Sequence, residues 1–312
     1  MKHERGLAYA AFAVVCVVWG TTYLFIRIAL ETLPPLLLTG VRYVAAGSIM
    51  LLIARLRGVS LPRDRRTLGN LALVGFLMVG LGNLAVVWAE QWVPSGFAAL
   101  FVASAPFWMA IIEAFRADGE RVNARSGLGL LIGFVGVGML VMPGAGPKWS
   151  IGFLLGALAI QVGSLGWQLG SARGKYNLHH VPFLASVALQ MFFGGVIVTI
   201  AGLAIGEAPR FVLNPRTFGA LAYLTIVGSV ITYSAYVYAL SHLRTVHTSL
   251  YAYVNPVVAV FLGWLVFAEP LTPISIAAMV VILAGVALVQ SSGGKKAPVA
   301  TKTAVEPVEK AA

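Results

Sequence analysis

The sequence predicts an all-α membrane protein of ten transmembrane helices in two inverted five-helix repeats. Three observations predict it. The 312 residues are 59% hydrophobic and 11% charged, with a mean hydropathy of +0.88, whereas a soluble chain carries about 25% charged residues. The apolar residues fall in ten runs near or above the ~18 residues that suggest a membrane span. Finally, the stretch Thr245–Thr272, TVHTSLYAYVNPVVAVFLGWLVFAEPLT, has an earlier divergent copy at Ser95–Val122, SGFAALFVASAPFWMAIIEAFRADGERV. Pro106 aligns with Pro256, Phe101 with Tyr251 and, with one gap, Glu120 with Glu269. An internal repeat changes the whole fold plan, so it weighs first.

The first span runs from about 7 to 29. Its start, MKHERGLAYAAFAVVCVVWG, imitates a secretory signal. The apolar core continues past Trp19 to about Ala29 and no small-residue cleavage pattern follows, so an uncleaved span is expected. Spans two to five follow at 35–54, 69–91, 95–115 and 126–142. Spans six to ten lie at 151–171, 182–204, 217–240, 247–268 and 273–290. At ~1.5 Å per residue each reaches across a ~30 Å hydrocarbon core, the 126–142 run only marginally. Helix is the expected form, because lipid offers no partner to an open backbone group. The single Cys16 excludes a disulfide or a multi-cysteine metal site within the chain and reads as a small packing residue.

Basic residues set the orientation. With a cytoplasmic N-terminus, 17 of the 22 Lys and Arg fall in cytoplasmic segments; Lys148, Arg210 and Arg216 fall outside, and Arg27 and Arg42 lie within spans. This asymmetry predicts both termini inside and an even number of spans. The net charge of +11 therefore reads as topology and not as a nucleic-acid surface. The tail 291–312, SSGGKKAPVATKTAVEPVEKAA, is expected to be disordered and cytoplasmic.

The repeat extends through both halves. Pro35 with GVRYVAAG after it matches Pro182 with ALQMFFGG, placing Gly47 on Gly194. Trp88-Ala89 matches Tyr238-Ala239, and Gly136-Val137 matches Gly285-Val286. Residues 1–145 form the first repeat and 146–290 the second. Five spans per half is an odd number, so the halves insert in opposite senses. Inverted repeats are a common transporter plan, with the solute path near the midplane where the halves meet.

No catalytic constellation is present. His3, His179, His180, His242 and His247 sit at or near span ends, and HExxH, P-loop and GxSxG motifs are absent. No enzyme, cofactor or metal is expected, and no ATP-driven pump. Polar residues within spans are costly and are functional candidates by default. Several share helix faces at three- and four-residue spacing. These are Thr248, Tyr251 and Asn255; Ser229, Thr232 or Tyr233, and Tyr236; Gln161, Ser164 and Gln168; and Asn83 with Glu90. Span four adds an aromatic stripe of Phe97, Phe101, Ser104 and Trp108. Such faces suit a small solute with polar and apolar parts. Hydrogen bonding between helices accounts for the same residue types. Pro256 beside Asn255 frees a backbone carbonyl, and Trp19-Gly20 sets a large ring beside a flexible backbone point. The expected substrate contacts are Trp19, Asn83, Ser104, Trp167, Tyr236, Tyr251 and Asn255.

Arg27, Glu31, Arg42 and Glu90 lie at one depth and are expected to form an outer ion-pair group, with Arg42 and Glu90 in gating or charge pairing. Arg42 alternatively attracts a substrate carboxylate, and structural pairing or snorkelling explains the same charges. No Asp or Glu lies mid-span, so facilitated diffusion or exchange fits at least as well as proton antiport.

The segments WGTTYLFIRIALETLPPLLLTGVRYVAAG (19–47), VPSGFAALFVASAPFW (93–108) and TSLYAYVNPVVAVFLGWLVFAEPLT (248–272) closely resemble the EamA-type branch of the drug/metabolite transporter superfamily, and within it the YedA-like proteins. The likeness covers about residues 7–290. It implies a bacterial inner-membrane carrier, often an exporter of amino acids or other metabolites. It also implies a cavity lined by spans one, three, four, six, eight and nine. Trp19-Gly20, Arg42, Pro106, Pro256 and Glu269 stand where the family pattern has them; Glu120 is shifted by one residue. Small multidrug carriers of the superfamily use a glutamate in mid-first-span, and this chain has none there. The expected partners are the bilayer and a small-molecule substrate, with the chain a monomer or weak dimer. The alternatives are a membrane enzyme, which should show paired acid–base groups, a non-transporting scaffold, which should lack a polar midplane, and a multidrug or cation exporter.

Overall fold

The computed structural model describes residues 2–117, 119–141, 150–267 and 272–291. Every regular element among them is helical. The chain runs through α1 (Lys2–Ala29), α2 (Pro35–Leu56), α3 (Arg65–Ala89), α4 (Ser95–Val102), α5 (Ala105–Phe115) and α6 (Ala124–Val141). It continues through α7 (Ile151–Asn177), α8 (Phe183–Ala204), α9 (Pro215–His242), α10 (Thr245–Ser249), α11 (Tyr251–Phe267) and α12 (Pro273–Ser291).

Local sequence sets the ends. Asp64 accepts the Thr67 N–H at 2.8 Å and caps α3, which also holds the Asp64 carboxyl below the usual carboxylate range. Ser150 caps α7 through the Phe153 N–H, and Asn214 and Thr217 form a reciprocal capping box on α9. Gly58 and Gly206 follow α2 and α8 with φ of 66° and 78°, the left-handed stop that glycine supplies.

Helix occupies all ten apolar runs, but the ten-span expectation holds only in part. Among the described residues eight helical stretches are long and apolar enough to cross a membrane: α1, α2, α3, Phe97–Phe115, α7, α8, α9 and α12. The apolar part of α6, Ala124–Met139, is shorter. The ninth run is broken at Leu250 into α10 and the 17-residue α11. The fourth run is likewise broken at Ala103-Ser104, and Pro106 opens α5, where its missing N–H costs nothing. Pro256 instead sits inside α11, where it leaves the Ala252 carbonyl without its helical donor. Glu269 and the tail lie outside the described residues.

Neither π turn was expected. Phe76–Asn83 in α3 and Leu224–Ile231 in α9 both wind as π-helix, each within a long helix. Such turns free backbone groups from the regular ladder.

Lipid gives helices no hydrophobic reason to associate, so close approach at small residues takes over. Gly47, Gly133 and Gly285 lie at such crossings. A Cβ on Gly47 would stand 2.5 Å from the Phe192 backbone nitrogen, fixing α2 on α8; one on Gly285 would stand 2.5 Å from the Gly133 nitrogen, fixing α12 on α6. Between these flanking pairs, α1 packs against α9 and α11, and α7 packs against α3 and α5. Leu128, Leu131, Val135, Ile200 and Leu203 point outward and exposed. At 54–61% exposed, each such side chain forgoes roughly half of the about 1.5–3 kcal/mol of full burial in water, a cost that lipid removes.

Candidate functional site

Four aromatic side chains from four helices meet in the middle of the bundle. Trp19 of α1 lies 4.8 Å from the Tyr251 ring of α11, 5.2 Å from Tyr236 of α9 and 5.3 Å from Trp167 of α7. Tyr236 closes the cluster at 5.5 Å from Trp167 and 5.6 Å from Tyr251. Each edge-on pair contributes about 0.5–1.5 kcal/mol. The Trp19 Nε1 donates to the Gly228 carbonyl in the α9 π turn, 3.1 Å away.

Beside this cluster lies a cavity of ≈ 70 Å³. Trp19, Asn83, Trp167, Tyr251, Asn255 and Arg42 all line it, with Tyr23 and Gln168. Five of the seven expected substrate contacts therefore converge on one space. Tyr236 stands behind the rings, its hydroxyl 2.8 Å from the Ser171 Oγ. Asn255 is 2% exposed. With its amide turned to satisfy both neighbours, its nitrogen donates to the carbonyls of Cys16 and Tyr251, 3.0 Å each. Gly20 is not a flexible point: it sits mid-helix, and a Cβ there would stand 2.9 Å from Val258 Cβ and 3.0 Å from the Asn255 carbonyl oxygen. Its role is to let α1 lie against α11.

Other expectations need correction. Ser104 does not line the cavity. Its hydroxyl is 2.8 Å from Gln161 Oε1, which also accepts from Trp108 Nε1 at 3.1 Å. Phe97 and Phe101 pack on Phe153. The polar and aromatic stripe of span four is thus a brace against α7. Span eight lends the cavity no lining side chain, whereas span two, not expected there, contributes Arg42.

The four-charge group does not form. Glu31 pairs with Arg216 at 3.1 Å. Among the described residues neither Arg42 nor Glu90 has an oppositely charged group within 4 Å. Among the described residues the Glu90 carboxylate oxygens are buried without a hydrogen bond, with the Arg27 charge acting on them through space. Arg42 is turned by α2 toward the π turn of α9 instead. Its Nε donates to the Leu224 carbonyl at 3.1 Å and to the Ser229 Oγ at 2.8 Å.

Sequence reasoning missed a charged clasp at the end of the bundle that carries the α7–α8 turn. Glu120, noted only as a repeat mate, accepts from Lys175 at 3.2 Å, from Arg244 at 3.3 Å and from the Thr245 N–H at 3.1 Å. Glu113 is fully buried and accepts the Glu120 N–H at 2.8 Å and the Tyr176 hydroxyl at 3.0 Å. Arg116 lies 3.8 Å over the Tyr176 ring. The clasp ties the α5–α6 loop to the end of α7 and the α9–α10 joint. A groove of ≈ 400 Å³ between α7, α8 and α9 opens beside it. Charges clustered near 113–125 and 173–175 are visible in the sequence, but only the fold brings them to Arg244.

Broken helices, two π turns and a small cavity lined by rings and polar side chains lie within a bundle whose outer faces are apolar, as befits a membrane protein. The chain belongs to the EamA-like transporter family, whose model matches residues 6–142 and 154–291. It is 38% identical over 284 residues, 90% of each chain, to the uncharacterized inner membrane transporter YedA of Escherichia coli (strain K12). It is 22% identical over 259 residues to the uncharacterized transporter YoaV of Bacillus subtilis (strain 168), covering 83% of this chain and 88% of that one. A protein of known crystal structure, 20% identical, superposes with a TM-score of 0.76 over 90% of this chain and 95% of its own, a likeness of fold.

Proposed function

We propose that the protein is a bacterial inner-membrane secondary transporter that moves small metabolites, amino acids and related compounds, outward by alternating access. One observation carries the reading: Trp19, Asn83, Trp167, Tyr251 and Asn255, from four helices, line a single central cavity. Membership of a transporter family and the name of the Escherichia coli relative support it. In this reading the chain is a carrier and not an enzyme. It crosses the membrane ten times with both termini cytoplasmic, and its two halves are inverted repeats that rock about the cavity. The aromatic cluster and the Glu120 clasp close the cytoplasmic side, and the cluster separates when the cavity turns inward.

Counterflow in proteoliposomes tests it. Vesicles are loaded with unlabelled amino acids, nucleosides, sugars or cationic drugs, and labelled solute is added outside. Accumulation of one class, lost in Asn255→Ala, is the expected result. No accumulation from the whole panel by folded, inserted protein would speak for a non-transporting scaffold.

A further inference from the structure

We propose that Arg42 is the carboxylate-binding subsite of the central cavity, and that the preferred solute is a small carboxylate with a hydrogen-bond donor at its other end. This rests on the carrier reading and names its substrate class.

Arg42 is 2% exposed and lines the cavity. A guanidinium offers five N–H donors in a planar fork. Only the Nε–H is engaged, by the Leu224 carbonyl and the Ser229 hydroxyl. The two Nη groups make no hydrogen bond among the described residues, yet they are not sealed from the cavity. The Tyr43 ring, 4.9 Å away, supports the cation from behind.

The carboxylates that could neutralise it are engaged elsewhere, save Glu90. Glu31 pairs with Arg216, and Glu207 accepts the Leu37 N–H and pairs with Arg210. Glu113 and Glu120 belong to the clasp. Glu90 does not line the cavity. A buried cation without a counter-ion is costly, and the bonds at Nε fix its fork in place before any ligand arrives. A carboxylate satisfies both Nη groups in the two-bond geometry that arginine favours.

The rest of the cavity wall fits the other end of such a solute. Among the described residues the Asn83 Oδ1 and the Gln168 amide atoms are buried without a close hydrogen bond, the Gln168 amide facing the Tyr251 hydroxyl. Both residues line the same space, and a turn of either amide would bring an acceptor to an ammonium or hydroxyl. Room is limited: ≈ 70 Å³ is on the order of five water-sized sites at roughly 10–15 Å³ each. In this state the cavity takes a solute of about six heavy atoms, such as a short amino or hydroxy acid; a longer one needs the rings to part.

Binding is tested on the purified full chain in nanodiscs, by thermal shift and calorimetry, without relying on transport. The probes are alanine, lactate, alaninamide, ethylamine and chloride. Alanine or lactate is expected to bind the wild type at least tenfold tighter than alaninamide or ethylamine. Arg42→Gln is expected to lose that preference and Arg42→Lys to keep part of it. Equal binding of alanine and alaninamide by the wild type overturns the proposal without any variant, as does chloride competing away alanine in Arg42→Gln. The two readings fail separately. Arg42-dependent binding with no counterflow removes the carrier and leaves the subsite. Counterflow of solutes without a carboxylate, unchanged in Arg42→Lys, leaves the carrier and removes the subsite.

Discussion

The indole N–H of Trp19 donates to the carbonyl of Gly228, 3.1 Å away and 209 residues along the chain. That carbonyl is available because α9 winds as a π turn from Leu224 to Ile231. Arg42 uses the Leu224 carbonyl of the same turn. The π turn therefore anchors both the principal ring and the principal cation of the cavity.

Trp19 is expected to act as a plug. Trp19→Phe removes one buried hydrogen bond, about 0.5–1.5 kcal/mol, and keeps a ring; Trp19→Ala opens space and costs about 3–5 kcal/mol. Cys16 is the only cysteine and lies buried three residues away on the same face of α1. Its labelling by a small maleimide should rise about tenfold in Trp19→Ala and little in Trp19→Phe. Equal rates in all three proteins would show that the ring seals nothing.

Glu120 should hold its end of the bundle shut. Each partly exposed ion pair contributes about 0.2–1 kcal/mol, and two pairs with a backbone donor reach about 2 kcal/mol. Glu120→Gln should thus raise the open fraction by up to roughly thirtyfold, at about 1.4 kcal/mol per factor of ten. In a Cys16→Ser background, a cysteine replacing Leu178, which lines the adjoining groove, should label faster in Glu120→Gln. An unchanged rate would remove the clasp from the gating scheme.

Glycine at the helix crossings should tolerate no side chain. Gly47→Ala and Gly285→Ala place a Cβ against neighbouring backbone and should cost about 1–3 kcal/mol or more. Gly69→Ala, with open space around it, should be neutral or stabilising by up to about 1 kcal/mol. Thermal unfolding in detergent separates these cases; equal melting temperatures would contradict the packing account.

Asn255 braces α1 to α11 through the Cys16 carbonyl as well as lining the cavity. Asn255→Ala should lose about 0.6–1.7 kcal/mol for its membrane hydrogen bonding. Asn255→Asp should be worse, because an ionised carboxylate has no donor for two carbonyls. A melting series in detergent decides; Asp equal to or above Ala would mean that the amide does not bridge these helices.

Trp19, Tyr251 and Asn255 are legible in the sequence because a polar or aromatic side chain within a span is costly and their spacing puts them on helix faces. The same signal misleads at Ser104, since a hydroxyl bonded to Gln161 on a neighbouring helix leaves the same trace in sequence. Arg42 and Glu90 read in the sequence as lying at one depth, but helix rotation decides partners, and α2 turns Arg42 to Ser229. The π turns leave no pattern to read, because eight apolar residues look alike at either winding. Glu120 reads as a repeat mate and not as a clasp, for its partners Lys175 and Arg244 lie 55 and 124 residues away.

The most direct test of the cavity as the solute route uses counterflow with a blocking reagent. In a Cys16→Ser background, Tyr251→Cys is reconstituted and treated with a methanethiosulfonate. Expected are active counterflow before treatment, its loss afterwards, and protection by saturating unlabelled solute. Counterflow that continues after the introduced thiol is fully modified would place the route elsewhere and contradict the account.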